Sequence, residues 1–363
     1  IQKQIELYKQ WGIFEPSPTS VAECPLIAIK KKNSDDYRIV ADLRLFNESI
    51  QTDWQMARVK NIHDVIDCVS GYEVYGTLDL RHGYYQIEIE DEETKDLLSF
   101  TSPQWERLRL CRLPQGGVFS SSFLEMCISS TLKDLNFNCC VAYLDDLIIF
   151  GRSREEFTQN LDKVMSCLKE EGFKLHSAKC ELNKSSIKYL GFILSSEGKI
   201  PDPSNVSAIK KMQRPTCRKD IKSLIGMIGY YRDHVPRLSE HILPLTRLLK
   251  KEEPFIWTQQ QEDAFNFVKN CLMNEPILAA IPRDLDEVQL IVDTDASQFT
   301  IAGCLSFKDE TGERVLAYYS RKLSQSQLSL CVTLKELRAI LMCLKKWRRF
   351  LVCLKRKFLL RCD

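Results

Sequence analysis

Long apolar runs are missing from this sequence. No uncharged stretch of its 363 residues approaches the roughly 18 apolar residues that a membrane span needs. The uncharged stretch 113–124 is short and rich in Gly and Ser, so no membrane partner is expected. Net charge is nearly absent too: 51 Lys and Arg against 49 Asp and Glu leave +2. That excludes a uniformly basic nucleic-acid coat but leaves room for a local basic face. No Met opens the chain, and no basic, apolar leader of a signal peptide follows. The chain starts inside a helical pattern at Ile1 and stops at Asp363, which reads as a segment of a longer polypeptide. Histidines are few, five in all, and Cys-x-x-Cys does not occur among the 15 cysteines. An odd count in a chain long enough to build a core points to reduced thiols and an intracellular setting, not to a disulfide framework. His176 and Cys180 have a ligand-like spacing, but without a second pair they read as a surface His and a buried Cys.

What is present is ordinary globular composition, 44% hydrophobic and 28% charged with 14 Gly and 13 Pro, enough for two to three domains. Ile1, Ile5, Tyr8 and Trp11 share a helical face that Gly12 ends. Residues 25–32 and 37–41 predict a strand–turn–strand ribbon with a basic rim of Lys30, Lys31, Lys32 and Arg38. Residues 72–80 predict a strand ending at Asp79, and 84–89 would continue it with Gln86 and Glu88 alternating. Residues 88–96 carry six carboxylates against Lys95 and suit a solvated face or a helix start. Phe123, Cys127, Thr131 and Leu135 predict one buried helix. Phe157, Leu161, Val164 and Leu168 predict another, stopped by Gly172. A strand is expected at 189–194 and a turn at 195–198. Residues 204–251 hold eleven Lys and Arg against three acids, with an apolar stripe at Ile221, Leu224, Ile225 and Ile228. Residues 338–361 hold nine basic residues and no acid, with Trp347, Phe350 and Phe358 interleaved.

The sharpest local signal is Val141 to Phe150, where two apolar runs flank Asp145 and Asp146. The layout is a β-hairpin, yet Asp-Asp is poor turn chemistry and the two charges repel. A divalent cation would compensate, because Mg²⁺ takes oxygen ligands from one or two carboxylates plus substrate phosphates. An ordinary exposed acidic turn is the plain alternative. Asp79, closing its own strand, would add a third carboxylate if that strand lies beside the hairpin. Such a trio could hold two ions for a phosphoryl transfer.

With these residues in view, the sequence resembles the reverse transcriptase segment of gypsy-type LTR retrotransposons and their retroviral relatives. The resemblance rests on six motifs in order. They are Arg38-Ile39-Val40-Ala41-Asp42-Leu43-Arg44 with Asn47; Asp79 to Ile87; Leu113-Pro114-Gln115-Gly116; Tyr143-Leu144-Asp145-Asp146; Tyr189-Leu190-Gly191-Phe192; and Leu224 to Arg232. It implies an α+β right-hand polymerase: fingers and palm at 1–203, thumb and connection at 204–285, then a C-terminally truncated RNase H-like α/β domain at 286–363. Asp79, Asp145 and Asp146 would be catalytic and would hold two Mg²⁺ with the Leu80 backbone carbonyl, Mn²⁺ substituting. Lys31 and Arg38 would hold the triphosphate, and Gln115 would border the sugar pocket. Tyr84 would exclude a 2′-hydroxyl, and Gly191 would belong to the primer grip. The basic stretch 204–251 would clamp a template–primer of RNA and DNA, and dNTPs would be the substrates. Protease and integrase parts would flank the segment, in the cytoplasm and in virus-like particles.

The resemblance continues through residues 288–361. A strand runs into Asp293 and Asp295, a hairpin follows, then a helix carrying Glu336, and a last strand ends near Asp363. Asp295, Glu336 and Asp363 would be the RNase H carboxylates, and Asp293 is the alternative to Asp295, since strand alternation points both the same way. The family's fourth carboxylate lies beyond residue 363, so an intact parent, not this segment, would degrade RNA. Ser120-Ser121-Ser122 stands where the family has a Pro, and the expected aromatic is shifted to Phe123. A catalytically inactive, host-retained nucleic-acid-binding relic is the alternative function.

Overall fold

In the computed structural model the described residues are 1–363 apart from 18, 19, 21, 31–36, 51–59, 274–276, 283, 284, 286, 353, 356 and 363. They form two compact units, one of residues 1–65 and 74–184 and one of residues 66–73 and 185–363.

The first unit is built on a four-stranded antiparallel sheet. In order across it lie Cys140–Tyr143, Asp146–Gly151, Val74–Asp79 and Glu181–Lys184. Val, Ile, Leu, Tyr and Phe make up most of the two inner strands, as a pleated buried surface requires. Two helices, Ser120–Leu132 and Arg154–Glu170, contribute Leu124, Ile128, Leu132, Phe157, Val164 and Leu168 to a core with Leu78, Ala142, Leu147 and Ile149. Ser153 caps the second helix by accepting from the Glu156 amide (3.2 Å), and Gly172 at φ +77° follows its end. A second core joins Ile5, Tyr8, Phe14, Ile39, Phe100 and Leu108 beneath the sheet of Phe14–Pro16, Arg107–Leu110 and Ser99–Thr101. The basic ribbon is present as Leu26–Lys30 paired antiparallel with Tyr37–Ala41, and most of it is exposed.

Two expectations change here, and a third is settled. Residues 84–89 do not extend a strand, because Gly83–Gln86 is a 3₁₀ turn entered through a left-handed His82. Only Glu88 keeps a backbone bridge, to Arg112, and the Gln86 side chain makes further bonds. Its amide donates to the Arg81 carbonyl (2.8 Å) and the Lys174 carbonyl (2.9 Å), and it accepts from the Lys174 amide (2.7 Å). The helix at Ser120–Leu132 buries Leu124 and Ile128, one residue round from the predicted stripe, and leaves Phe123 40% exposed. Adjacent apolar residues at 123 and 124 made both faces legible. The acidic run becomes a helix start: Asp91 caps Glu92–Leu97 by accepting from the Thr94 amide (2.7 Å).

In the second unit, Ser186–Tyr189, Phe192–Ser195, Gly198–Pro201 and Leu278–Ala279 make an antiparallel sheet. The strand expected at 189–194 is therefore two strands, reversed at Leu190 and Gly191, both left-handed. Helices Pro203–Lys211, Arg218–Tyr230 and Gln259–Met273 follow, and the second buries Ile221, Leu224 and Ile228 of its stripe. The C-terminal sheet runs Gly312–Lys322, Thr300–Asp309, Gln289–Ala296 and Leu359–Arg361, with only the last pair parallel. Helix Val332–Lys346 contributes Cys343 to the core of this sheet, which also holds Leu290, Val292, Leu305 and Trp347.

Candidate active site

Strand Val74–Asp79 pairs antiparallel with Asp146–Gly151 in a register that sets Asp79 opposite Asp146. Directly opposed residues share a face, with Cβ atoms about 5 Å apart. The hairpin itself closes at Tyr143 opposite Asp146, so its two-residue turn is Leu144-Asp145, not Asp145-Asp146. Leu144 is left-handed, φ +56°, which a Leu adopts only where its surroundings hold it there. Asp145 is thus at the tip and Asp146 is already the first strand residue. A Cβ placed on Gly83 would lie 3.6 Å from the Asp145 Cβ, so the segment after Asp79 approaches the tip closely.

The three carboxylates feel one another. Asp146 is open to solvent on one side, yet the protein mass behind it and the charges of Asp145 and Asp79 push its carboxyl up to about 6. Lys179 opposes that effect, its Nζ lying 3.4 Å from both Asp79 oxygens. Three crowded hard-oxygen donors relieved by one lysine fit a divalent cation of the Mg²⁺ or Mn²⁺ kind. Among the described residues, no three His, Cys, Asp or Glu side chains are already gathered at metal-ligand distances. Leu80 stands between the Asp79 carbonyl, which accepts from the His176 amide (2.9 Å), and the Arg81 amide, which donates to Lys174 (2.9 Å).

The other expected residues gather partly. Arg38 donates from Nη1 to the Gln115 side-chain oxygen (3.3 Å), so ribbon and 113–116 loop meet. Tyr84 packs on the main core of the first unit and its hydroxyl lies 3.1 Å from Ser121 Oγ. Lys31 lies outside the described residues. Gly191 belongs to the second unit, in the left-handed turn after Tyr189.

Some contributors were not singled out from sequence. Lys179 is one, since only the pairing of 174–176 with 79–81 brings it to Asp79. Asn47, which the first motif already includes, ties the loop after Gln115, donating to the Gly116 carbonyl (3.0 Å) and accepting from the Val118 amide (2.9 Å). Lys60, like Lys179, was not singled out. It pairs with the buried Glu125 (3.2 Å) and donates to the Ala142 carbonyl (2.9 Å), two residues before the hairpin turn.

In the C-terminal sheet Asp293 and Asp295 line one cavity of about 440 Å³ with Arg237, Tyr318 and Arg361. Asp295 pairs with Arg237 (2.8 Å) and Asp293 with Arg361 (3.6 Å). Burial holds the Asp293 carboxyl above its usual range, against the opposing pull of Arg361. Glu336 accepts from the Ala296 amide (3.1 Å), which brings it next to Asp295 along the chain. Asp363 lies outside the described residues.

Comparison with known proteins matches two families in tandem. Residues 29–194 match the family described as reverse transcriptase (RNA-dependent DNA polymerase). Residues 257–360 match the RNase H-like domain found in reverse transcriptase. The Transposon Tf2-3 and Tf2-7 polyproteins of Schizosaccharomyces pombe are each 28% identical over 333 residues, covering 91% of this chain and 24% of each polyprotein. The chain therefore spans about a quarter of the curated relatives it matches. Among solved structures, the foamy viral protease-reverse transcriptase dRH in complex with double-stranded DNA aligns with a TM-score of 0.85 at 22% identity, covering 99% of this chain and 62% of that one. The foamy viral protease-reverse transcriptase in complex with RNA/DNA hybrid aligns at 0.81 and 22% identity, covering 99% of this chain and 47% of that one. The fold is thus that of these foamy viral structures, and the chain is similar, in order along it, to a reverse transcriptase domain and to the RNase H-like domain found in reverse transcriptase.

Proposed function

We propose that this chain is the RNA-directed DNA polymerase part of a gypsy-type LTR retrotransposon polyprotein. Residues 1–203 act as fingers and palm, 204–285 as thumb and connection, and 286–363 as an RNase H-like domain that would degrade RNA in the intact parent. The observation that carries the reading is the register that opposes Asp79 and Asp146 beside the Asp145 turn. Three acids kept together at that like-charge cost call for a cation.

The primer 3′-hydroxyl attacks the α-phosphate of a dNTP and pyrophosphate leaves. Asp79, Asp145 and Asp146, with the Leu80 carbonyl, would hold the divalent cations. Bound there, two Mg²⁺ supply charge for the attacking and leaving oxygens. Lys179 neutralises the acid cluster before substrate arrives. Arg38 offers the triphosphate a planar fork of donors, with Gln115 at its side, and Lys31 would add a second charge to the same group. Tyr84, pinned through its hydroxyl to Ser121, sets a fixed wall that favours a deoxyribose. Gly191 lies in the turn that meets the primer. Asp295, Glu336 and Asp363 would be the acids of the RNase H-like site, and Arg237 pairs with the first of them.

RNA and DNA template–primers are the partners, consistent with the nucleic acids bound by the foamy viral neighbours. The Tf2 relatives are polyproteins about four times as long, which supports further parts in the same precursor; protease and integrase are the parts we assign to it, and cytoplasmic virus-like particles its setting. Extension of oligo(dT) on poly(rA) with Mg²⁺ or Mn²⁺ tests the reading. Template-dependent incorporation of dTTP is expected. Retained duplex binding without any extension would replace it with a nucleic-acid-binding relic.

A further inference from the structure

The turn at Leu190-Gly191 is an expensive one. Both residues are left-handed, φ +43° and +74°, in a two-residue hairpin connection. Such connections favour Asn-Gly, and a Leu in that conformation persists only if its surroundings hold it. The holding groups are two consecutive tyrosines at the C-terminal end of helix Arg218–Tyr230. The Tyr230 hydroxyl donates to the Leu190 carbonyl (2.6 Å), and the Tyr231 hydroxyl donates to the Gly191 carbonyl (3.1 Å). Side chains of successive helical residues diverge, but Tyr231 is already outside the helix at φ −102° and ψ 20°, so both rings reach one turn.

Further contacts fix the phenols. Asn205 donates to the Tyr231 hydroxyl oxygen (3.1 Å), and the Asp202 amide adds a second bond to the Gly191 carbonyl (3.0 Å). The Phe192 ring, next to the turn, stacks on Tyr230 at 5.5 Å and meets Tyr231 edge-on at 5.4 Å. Burial raises the Tyr231 phenol above its usual range, so it stays protonated and a donor. A Cβ on residue 191 would lie 3.1 Å from Tyr230 Cε1, so the ring and the glycine are fitted to each other.

We propose that Tyr230 and Tyr231 are positioning residues for the primer strand, locking the Leu190-Gly191 turn to the helix behind it. The proposal rests on the polymerase reading, which gives that turn its primer contact. Removing only the hydroxyls leaves rings, volume and stacking in place, so folding should survive while the turn loosens.

The test uses the full chain as wild type, Tyr230→Phe, Tyr231→Phe and the double variant. Template–primer affinity, extension kinetics and thermal midpoint are measured on each. The double variant is expected to raise the KM for template–primer by about tenfold and to shorten products. The KM for dNTP should stay within about twofold and the thermal midpoint within a few degrees. A folded double variant with wild-type template–primer KM and product length would overturn the lock. So would a loss shared equally by dNTP and template–primer with a fallen midpoint, which marks a merely structural role. If the double variant does not fold, the same comparison is read on the single variants. A wild type that extends no primer overturns the polymerase reading and the lock together, whereas an extending wild type matched by its variants overturns the lock alone.

Discussion

At the scale of single residues, Asp146 reports the cost of assembling the acid cluster. Its carboxyl is pushed from an ordinary value near 3.8 up to about 6. A carboxyl raised in the folded state contributes stability that is full below about 3.8 and is lost as pH rises through about 6. Without divalent cations, Asp146→Asn should therefore be more stable than wild type above pH 6, by about 1 kcal/mol once solvent screening is allowed for. That advantage should vanish below about pH 4. Urea midpoints across this range check it, and equal midpoints at pH 8 would mean the acids are not crowded. Tyr84→Ala should raise ribonucleotide incorporation about tenfold or more, because a wall that excludes a hydroxyl is removed. Unchanged discrimination would take the steric role from Tyr84. The acids were legible in the sequence because an Asp-Asp pair between apolar runs is a local contradiction that invites explanation. Lys179 was not legible, since a lysine 100 residues from Asp79 reaches it only through the pairing of residues 79–81 with 174–176.

Among the elements, the hairpin and the helix after it act as one piece. Gly151 closes the strand that begins at Asp146, and a Cβ there would come within 2.6 Å of the Phe157 amide nitrogen and 2.8 Å of its Cα. Backbone, not a yielding side chain, stands in the way. Gly151→Ala should cost about 2 kcal/mol, as overpacking does, and should slacken the strand that carries Asp146. A chemical denaturation midpoint indistinguishable from wild type would show that the helix can shift freely. Elements with strong periodicity were readable: the helix over Phe157 to Leu168 and the C-terminal hairpin are where their patterns put them. Two were misread for a shared reason. In 84–89 a 3₁₀ turn replaces the first half of the expected strand, its Gln86 side chain bonding to Arg81 and Lys174, and the backbone bridges only at Glu88, to Arg112. In 189–194 the reversal is carried by a left-handed Leu190 that only tyrosines some forty residues later make tolerable. Neither cause is local, so neither leaves a mark in a window of a few residues.

For the whole molecule, near-neutral charge hides a strong asymmetry. Residues 204–251 carry eleven basic residues against three acids, so binding of template–primer should be electrostatic and indifferent to sequence. Between about 50 and 200 mM salt the affinity should fall on the order of a thousandfold, read by fluorescence anisotropy on an RNA/DNA duplex. A flat salt dependence would remove these residues from the clamp. The order of the two parts was legible, the first from six motifs and the second from the strand, hairpin and helix that follow residue 288. The division into units was not, because residues 66–73 join the second unit although the chain on both sides belongs to the first. All of this rests on the acids at the hairpin tip gripping cations for nucleotidyl transfer. Replacing Asp145 by Asn keeps the turn's shape and removes one ligand charge. Measured side by side, its primer extension should fall at least about a thousandfold below wild type, while its template–primer affinity stays within about twofold. Extension at the wild-type rate by Asp145→Asn would contradict the account directly.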